Sequence, residues 1–153
     1  MSEKAIDIAR HLKNKAKVLI MCGELCNSIE LGDKKLLDYV IVLTSKLDAP
    51  VAATGNTMVE LSKRGVKARK MFAAEILFYL NYNWREEFVE KPEVVVLMGY
   101  NHDVLKSVVS ALENVEINTI VLDNIEIEAA TFSMGYLSFR EWKDSLEAMT
   151  KNL

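Results

Sequence analysis

Asp48-Ala49-Pro50-Val51-Ala52-Ala53-Thr54-Gly55-Asn56-Thr57-Met58-Val59-Glu60 is the stretch whose reading decides the fold. Pro50 can open a strand, because its missing N–H costs little at a first residue. Val51, Ala52 and Ala53 are small and apolar, which suits a strand covered on both faces. Gly55 lets the backbone turn tightly or approach a ligand. Thr57, with Glu60 three residues on, has the spacing of a capping box, so a helix is predicted to begin there. A strand, a glycine turn and a helix N-terminus leave N–H groups pointing outward, where an anion can sit. A plain connecting turn has the same pattern.

Working outward, the same layout recurs on both sides. Val18-Leu19-Ile20-Met21-Cys22 is an unbroken apolar run closed by Gly23, and Val94-Val95-Val96-Leu97-Met98 is another closed by Gly99. Both have the length and apolarity of central parallel strands. Helical spacing links them. Ala5, Ile8, Ala9 and Leu12 form one stripe over residues 3–14, with Lys13, Lys15 and Lys17 crowding its end. Leu36, Val40, Leu43 and Leu47 form another, on a helix that Asp33 is placed to cap. The helix after Gly55 is short, with Leu61 on its apolar side and Gly65 placed to close it. Asn101 or Asp103 can start a helix carrying Val104, Leu105, Val108, Val109 and Leu112. Residues 118–123 read as a further strand. Ile125 and Ile127 alternate with polar residues, as in a half-exposed strand or an extended connection. Residues 129–134 read as a last short strand. Ser138 and Glu141 form a capping box for a final helix with Leu137, Trp142, Leu146 and Met149. Strands alternating with helices imply one three-layer α/β/α domain over residues 1–153, with a mostly parallel sheet.

Ligands in such sheets bind at the carboxyl ends of the strands. Gly23, Gly55 and Gly99 all open on that rim. The candidate binding residues are therefore Gly23, Thr54, Gly55, Asn56, Gly99 and Asn101. His102 lies beside them and reads as an exposed residue of a first helical turn.

Composition narrows the function. Half of the 153 residues are hydrophobic and 27% are charged, which describes a globular chain. A chain of this length buries roughly 70% of its extended surface. The net charge of -3 gives no reason to expect nucleic acid or an anionic membrane. The apolar runs are too short to span a bilayer, and Glu3 and Asp7 interrupt any signal-peptide core, so a cytoplasmic protein is expected. Cys22 and Cys26 lack the second ligand pair of a zinc or iron–sulfur site, and no metal is expected. Cys22 reads as the buried end of a strand. No nucleophile elbow, P-loop or dinucleotide fingerprint occurs, so no catalytic residue is assigned.

Two segments bear on contacts with partners. Lys63, Arg64, Lys67, Arg69 and Lys70 form a basic cluster, either a solvated face or a contact for phosphate or an acidic partner. Residues 71–80 are apolar almost all round if helical. Such a helix is deeply buried or faces another subunit, with Phe72, Phe78 or Tyr79 as the contact.

Four stretches together resemble a known family: Lys15-Ala16-Lys17-Val18-Leu19-Ile20 leading to Gly23; Pro50-Val51-Ala52-Ala53-Thr54-Gly55-Asn56; Leu80-Asn81-Tyr82-Asn83-Trp84; and Ala130-Thr131-Phe132-Ser133-Met134-Gly135-Tyr136-Leu137-Ser138. In this order they are similar to the ε subunits of archaeal carbon monoxide dehydrogenase/acetyl-CoA synthase (decarbonylase) complexes. The resemblance implies a Rossmann-like sheet of about six strands, like the nucleotide-binding middle domain of thiamine-diphosphate enzymes. It implies an accessory subunit on a large (alpha) subunit that holds the nickel–iron–sulfur chemistry, two copies of each. The role it implies is to stabilise that subunit or to help pass electrons to FAD. The charged run Arg85, Glu86, Glu87 departs from the glycine expected of relatives. An independent flavin- or dinucleotide-binding module is the alternative, and a free-standing enzyme a third reading.

Overall fold

The computed structural model describes residues 2–15, 17–82 and 90–153. Helix α1 (Ser2–Lys13) leads into β1 (Val18–Cys22), followed by a 3-10 turn (Glu24–Asn27) and a hairpin of β2 (Glu30–Leu31) and β3 (Lys34–Lys35). Then come α2 (Leu36–Leu47), β4 (Val51–Ala53), α3 (Gly55–Lys63), β5 (Ala68–Lys70) and α4 (Ala73–Asn81). The chain finishes with β6 (Val94–Met98), α5 (His102–Leu112), β7 (Asn118–Val121), β8 (Phe132–Ser133) and α6 (Phe139–Lys151).

Six strands form one sheet in the order β5-β4-β1-β6-β7-β8, every pair parallel. The expected parallel α/β sheet of about six strands is what the chain forms. Period-two alternation divides each central strand between two cores. Val18, Ile20, Cys22, Val94, Val96 and Met98 face α1, α2 and α6, while Leu19, Met21, Val95 and Leu97 face α4 and α5. All five residues of β1 and of β6 are buried, because helices cover both faces. Fully burying a side chain such as Ile8 or Leu12 of α1 stabilises the fold by about 1.5–3 kcal/mol. On α6, Trp142 is buried and its indole N–H donates to Leu122 O at 2.7 Å, which ties the last helix to the chain just beyond β7.

Several expected boundaries shift. Residues 24–32, which carry no apolar period and read as a loop, hold the 3-10 turn and the first strand of the hairpin. Asp33 sits in the hairpin turn, bonded to Lys143 at 2.6 Å, and does not cap α2. There the acid in the first turn takes over: Asp38 Oδ2 accepts from Lys35 N at 2.8 Å. The helix after β4 begins at Gly55, with Thr54 at its N-cap, rather than at Thr57. Thr57 is buried inside α3, where its hydroxyl has a tertiary partner. Within the basic cluster, residues 68–70 form the edge strand β5, which no apolar pattern marks. Residues 125 and 127 lie in an extended connection. Asn83, Trp84 and the run Arg85, Glu86, Glu87 lie outside the described residues, as does Ala16.

Candidate site at the carboxyl rim of the sheet

From β1 the chain runs outward through α2 to β4 and β5, then returns through α4 to β6 on the other side of β1. The strand order reverses between β1 and β6, so their carboxyl ends frame the crevice where such sheets place ligands. Gly23 follows β1 and Gly99 follows β6, as the apolar runs imply.

In this chain the crevice is filled from within. Gly23 N donates to Met98 O at 2.8 Å, and Leu25 N donates to Gly99 O at 2.9 Å. The 3-10 turn folds over the strand ends, with Cys26 N donating to Gly23 O at 3.1 Å and Cys26 Sγ to Met98 O at 3.2 Å. A Cβ on Gly99 would collide with Cys26 Sγ and lie 2.8 Å from Cys26 N; one on Gly23 would collide with Gly99 O. Gly99 also holds φ +86, a conformation that side-chain-bearing residues rarely adopt. Both glycines are buried, and the close approach they permit is of the chain to itself.

Beneath the turn lies a polar nest that sequence reasoning missed. Asp123 is 3% exposed and accepts from Gly99 N at 2.9 and 3.0 Å and from Tyr100 N at 3.3 Å. Burial pushes its carboxyl up to about 7, against the opposing pull of those two N–H groups. Burial and the neighbouring Cys22 thiol hold the Cys26 thiol well above its ordinary value. Burial likewise raises the Tyr100 phenol. Tyr100 Oη is buried without a hydrogen-bond partner among the described residues. Thiols held protonated and away from water are unreactive. The available signal was an acid at the end of an apolar run, Ile120-Val121-Leu122-Asp123, which puts a carboxylate on the rim.

The rim beside β4 is more open. Thr54 N donates to Cys22 O at 3.2 Å and Thr57 Oγ1 to Gly23 O at 3.1 Å, which anchor α3 against the plug. Asn56 is exposed and its Oδ1 accepts from Thr57 N at 2.9 Å. Thr54 makes no side-chain cap and its Oγ1 finds no partner among the described residues. A Cβ at Gly55 would meet only Lys70 Cε, at 3.8 Å. The N–H groups of Gly55 and Asn56 and the Lys70 side chain thus share one open spot, with the orphan Thr54 hydroxyl buried beside it. Asn101 is exposed and caps α5, accepting from Val104 N at 2.9 Å, and His102 is exposed beside it. The structure therefore brings Thr54, Gly55 and Asn56 together, seals Gly23 and Gly99 against each other, and uses Asn101 as a helix cap. An open groove of about 670 Å³ lies elsewhere, at the amino ends of β1, β4 and β5, between Lys17, Leu47, Pro50, Val66 and Arg69. Among the described residues no group of three or more His, Cys, Asp or Glu is placed to hold a metal ion. None of the described helices is long and apolar enough to cross a membrane.

Sheet order and rim together define the class: a Rossmann-like parallel α/β protein whose switch-point crevice is closed by its own chain. No protein-family model matches it. Over 149 residues the chain is 30% identical to the acetyl-CoA decarbonylase/synthase complex subunit epsilon 2 of Methanosarcina mazei, covering 95% of this chain and 85% of that one. It is 29% identical over 151 residues to subunit epsilon 1 of Methanosarcina barkeri, covering 96% and 86%. The chain belongs to the family of acetyl-CoA decarbonylase/synthase complex epsilon subunits.

Proposed function

We propose that this chain is a non-catalytic accessory subunit of the carbon monoxide dehydrogenase component of an acetyl-CoA decarbonylase/synthase complex. It binds and stabilises the large subunit that carries the nickel–iron–sulfur chemistry, two copies of each, and helps electrons from carbon monoxide oxidation reach FAD. The observation that carries this reading is similarity along 95% of the chain to a subunit of that complex. The closed crevice supports it too: a rim packed with its own turn suits a protein that acts through its surface. Tagged chain purified anaerobically from cells that also make the large subunit is expected to bring that subunit with it. Elution of the chain alone overturns the reading.

A second reading, an independent flavin- or dinucleotide-binding module, draws on the open spot at Thr54, Gly55 and Asn56. A pyrophosphate there would meet the free N–H groups of α3 and the Lys70 ammonium. In that case FAD titrated into the chain, alone or with the large subunit, gives a saturable change in flavin fluorescence. A signal that only grows in proportion to added FAD counts against it.

A further inference from the structure

The flank of the sheet at β5 carries exposed aromatic rings that the core does not use, beside cations of which Lys70 also reaches the Gly55 rim. Phe72 at the N-cap of α4, Phe78 within it and Tyr82 at its C-cap are 58%, 56% and 80% exposed. They are not scattered apolar residues. The Phe78 ring meets Tyr79 edge-on at 5.7 Å between centroids and lies tilted against Tyr82 at 5.4 Å, giving a continuous aromatic surface over the second half of the helix. Ile76 and Leu80 on the other side of α4 already fill the core, so these rings are surplus to the fold. Exposed aromatics of this extent mark contact surfaces.

The chain reaches Phe72 directly from edge strand β5, where Lys67, Arg69 and Lys70 are exposed. The neighbouring cations are answered within the chain, Lys63 by Glu60 at 3.3 Å and Arg64 by Asp38 at 2.9 Å. Lys67 and Lys70 have no acidic partner among the described residues. Glu75, the described carboxylate on this side of α4, already accepts from Phe72 N at 3.2 Å. Cations on an edge strand also discourage another strand from adding to it, so recognition here runs through side chains.

We propose that the aromatic face of α4 and the cationic edge β5 form one docking surface, which takes an apolar recess bordered by carboxylates on the large subunit. This rests on the accessory-subunit reading. A second copy of this chain is the poorer occupant, because the described carboxylate on its own patch, Glu75, already accepts from Phe72 N and stands alone against two lysines. The aromatics supply the buried centre of the contact, and the cations its charged border.

The test uses anaerobic capture of the large subunit by the full chain, measured as affinity. Phe78→Glu with Tyr82→Glu is expected to weaken capture about 30-fold or more, the scale of hot-spot losses. Lys67→Glu with Lys70→Glu is expected to weaken it and to flatten its dependence on salt. Tyr136→Glu, 75% exposed beyond β8 on the opposite edge, is expected to bind as the parent does. All five positions are exposed, so unchanged thermal melting verifies each fold. Parent-like capture by both double variants, or equal loss in Tyr136→Glu, overturns the surface while leaving the subunit role standing. So does a patch whose variants abolish only self-association. A parent chain that captures nothing overturns both.

Discussion

Gly99→Ala is expected to lose about 2–6 kcal/mol of folding stability, a large part of the roughly 5–15 kcal/mol typical of a domain. Two costs combine. The backbone at φ +86 strains any residue with a side chain, by roughly 1–3 kcal/mol. The new methyl also enters the space of Cys26, whose N lies 2.8 Å from the Cβ position, and overpacking costs about 1–3 kcal/mol or more. Two companion variants separate the terms. Gly65→Ala has φ +78 but nothing within 4 Å, so it carries the strain alone, with room for the backbone to relax, at the low end of that range, about 1 kcal/mol. Gly23→Ala sits at φ -84, open to any residue, and carries only the collision with Gly99 and the Tyr100 ring. Urea unfolding should rank the losses Gly65→Ala, then Gly23→Ala, then Gly99→Ala. A Gly99→Ala protein no less stable than Gly65→Ala would show that the crevice is not closed as described.

Asp123 gives the second large effect, in the dependence of stability on pH. Its carboxyl titrates near 7 in the folded protein, against about 3.9 in an unfolded chain. Between those values the folded state binds more protons than the unfolded one, so this group makes stability fall as pH rises from about 4 to about 7. Above 7 its contribution is constant. A shift of this size corresponds to a loss on the order of 4 kcal/mol across the window. Asp123→Asn keeps an accepting oxygen for Gly99 N but removes the titration, and leaves Tyr100 N a poorer partner. The variant should be the less stable protein at pH 4, and the gap should close or reverse by pH 8. Urea unfolding of both proteins across this range checks it. A gap that does not change with pH would mean that Asp123 stays ionised throughout.

How much of this could be read from the chain depends on what kind of signal each part carries. Buried strands announce themselves as apolar runs, so 18–22 and 94–98 were legible to the residue, and the Ser138–Glu141 box marked α6 equally well. Strand β5 was not, because Ala68-Arg69-Lys70 is an edge with two exposed cations and lacks an apolar pattern. The start of α3 was displaced because Thr57 and Glu60 have cap spacing. The threonine hydroxyl goes to Gly23 O instead, a partner 34 residues away that no local pattern contains. Gly23 and Gly99 do follow their strands, yet a glycine permits close approach without saying of what. Here Gly23 and Gly99 face each other and Cys26, while Gly55 alone keeps its space. The apolar run before Asp123 places an acid on the rim, but its burial is not legible, because nothing local distinguishes a buried carboxylate from a solvated one after a strand.

On the accessory-subunit reading the chain works as a bound subunit of a larger assembly. The most direct measurement is the subunit stoichiometry of the anaerobically purified complex, by native mass with this chain tagged. The account predicts one species containing this chain and the large subunit in equal numbers, two of each. A tagged chain recovered free, or with the large subunit only in trace amounts, would contradict it.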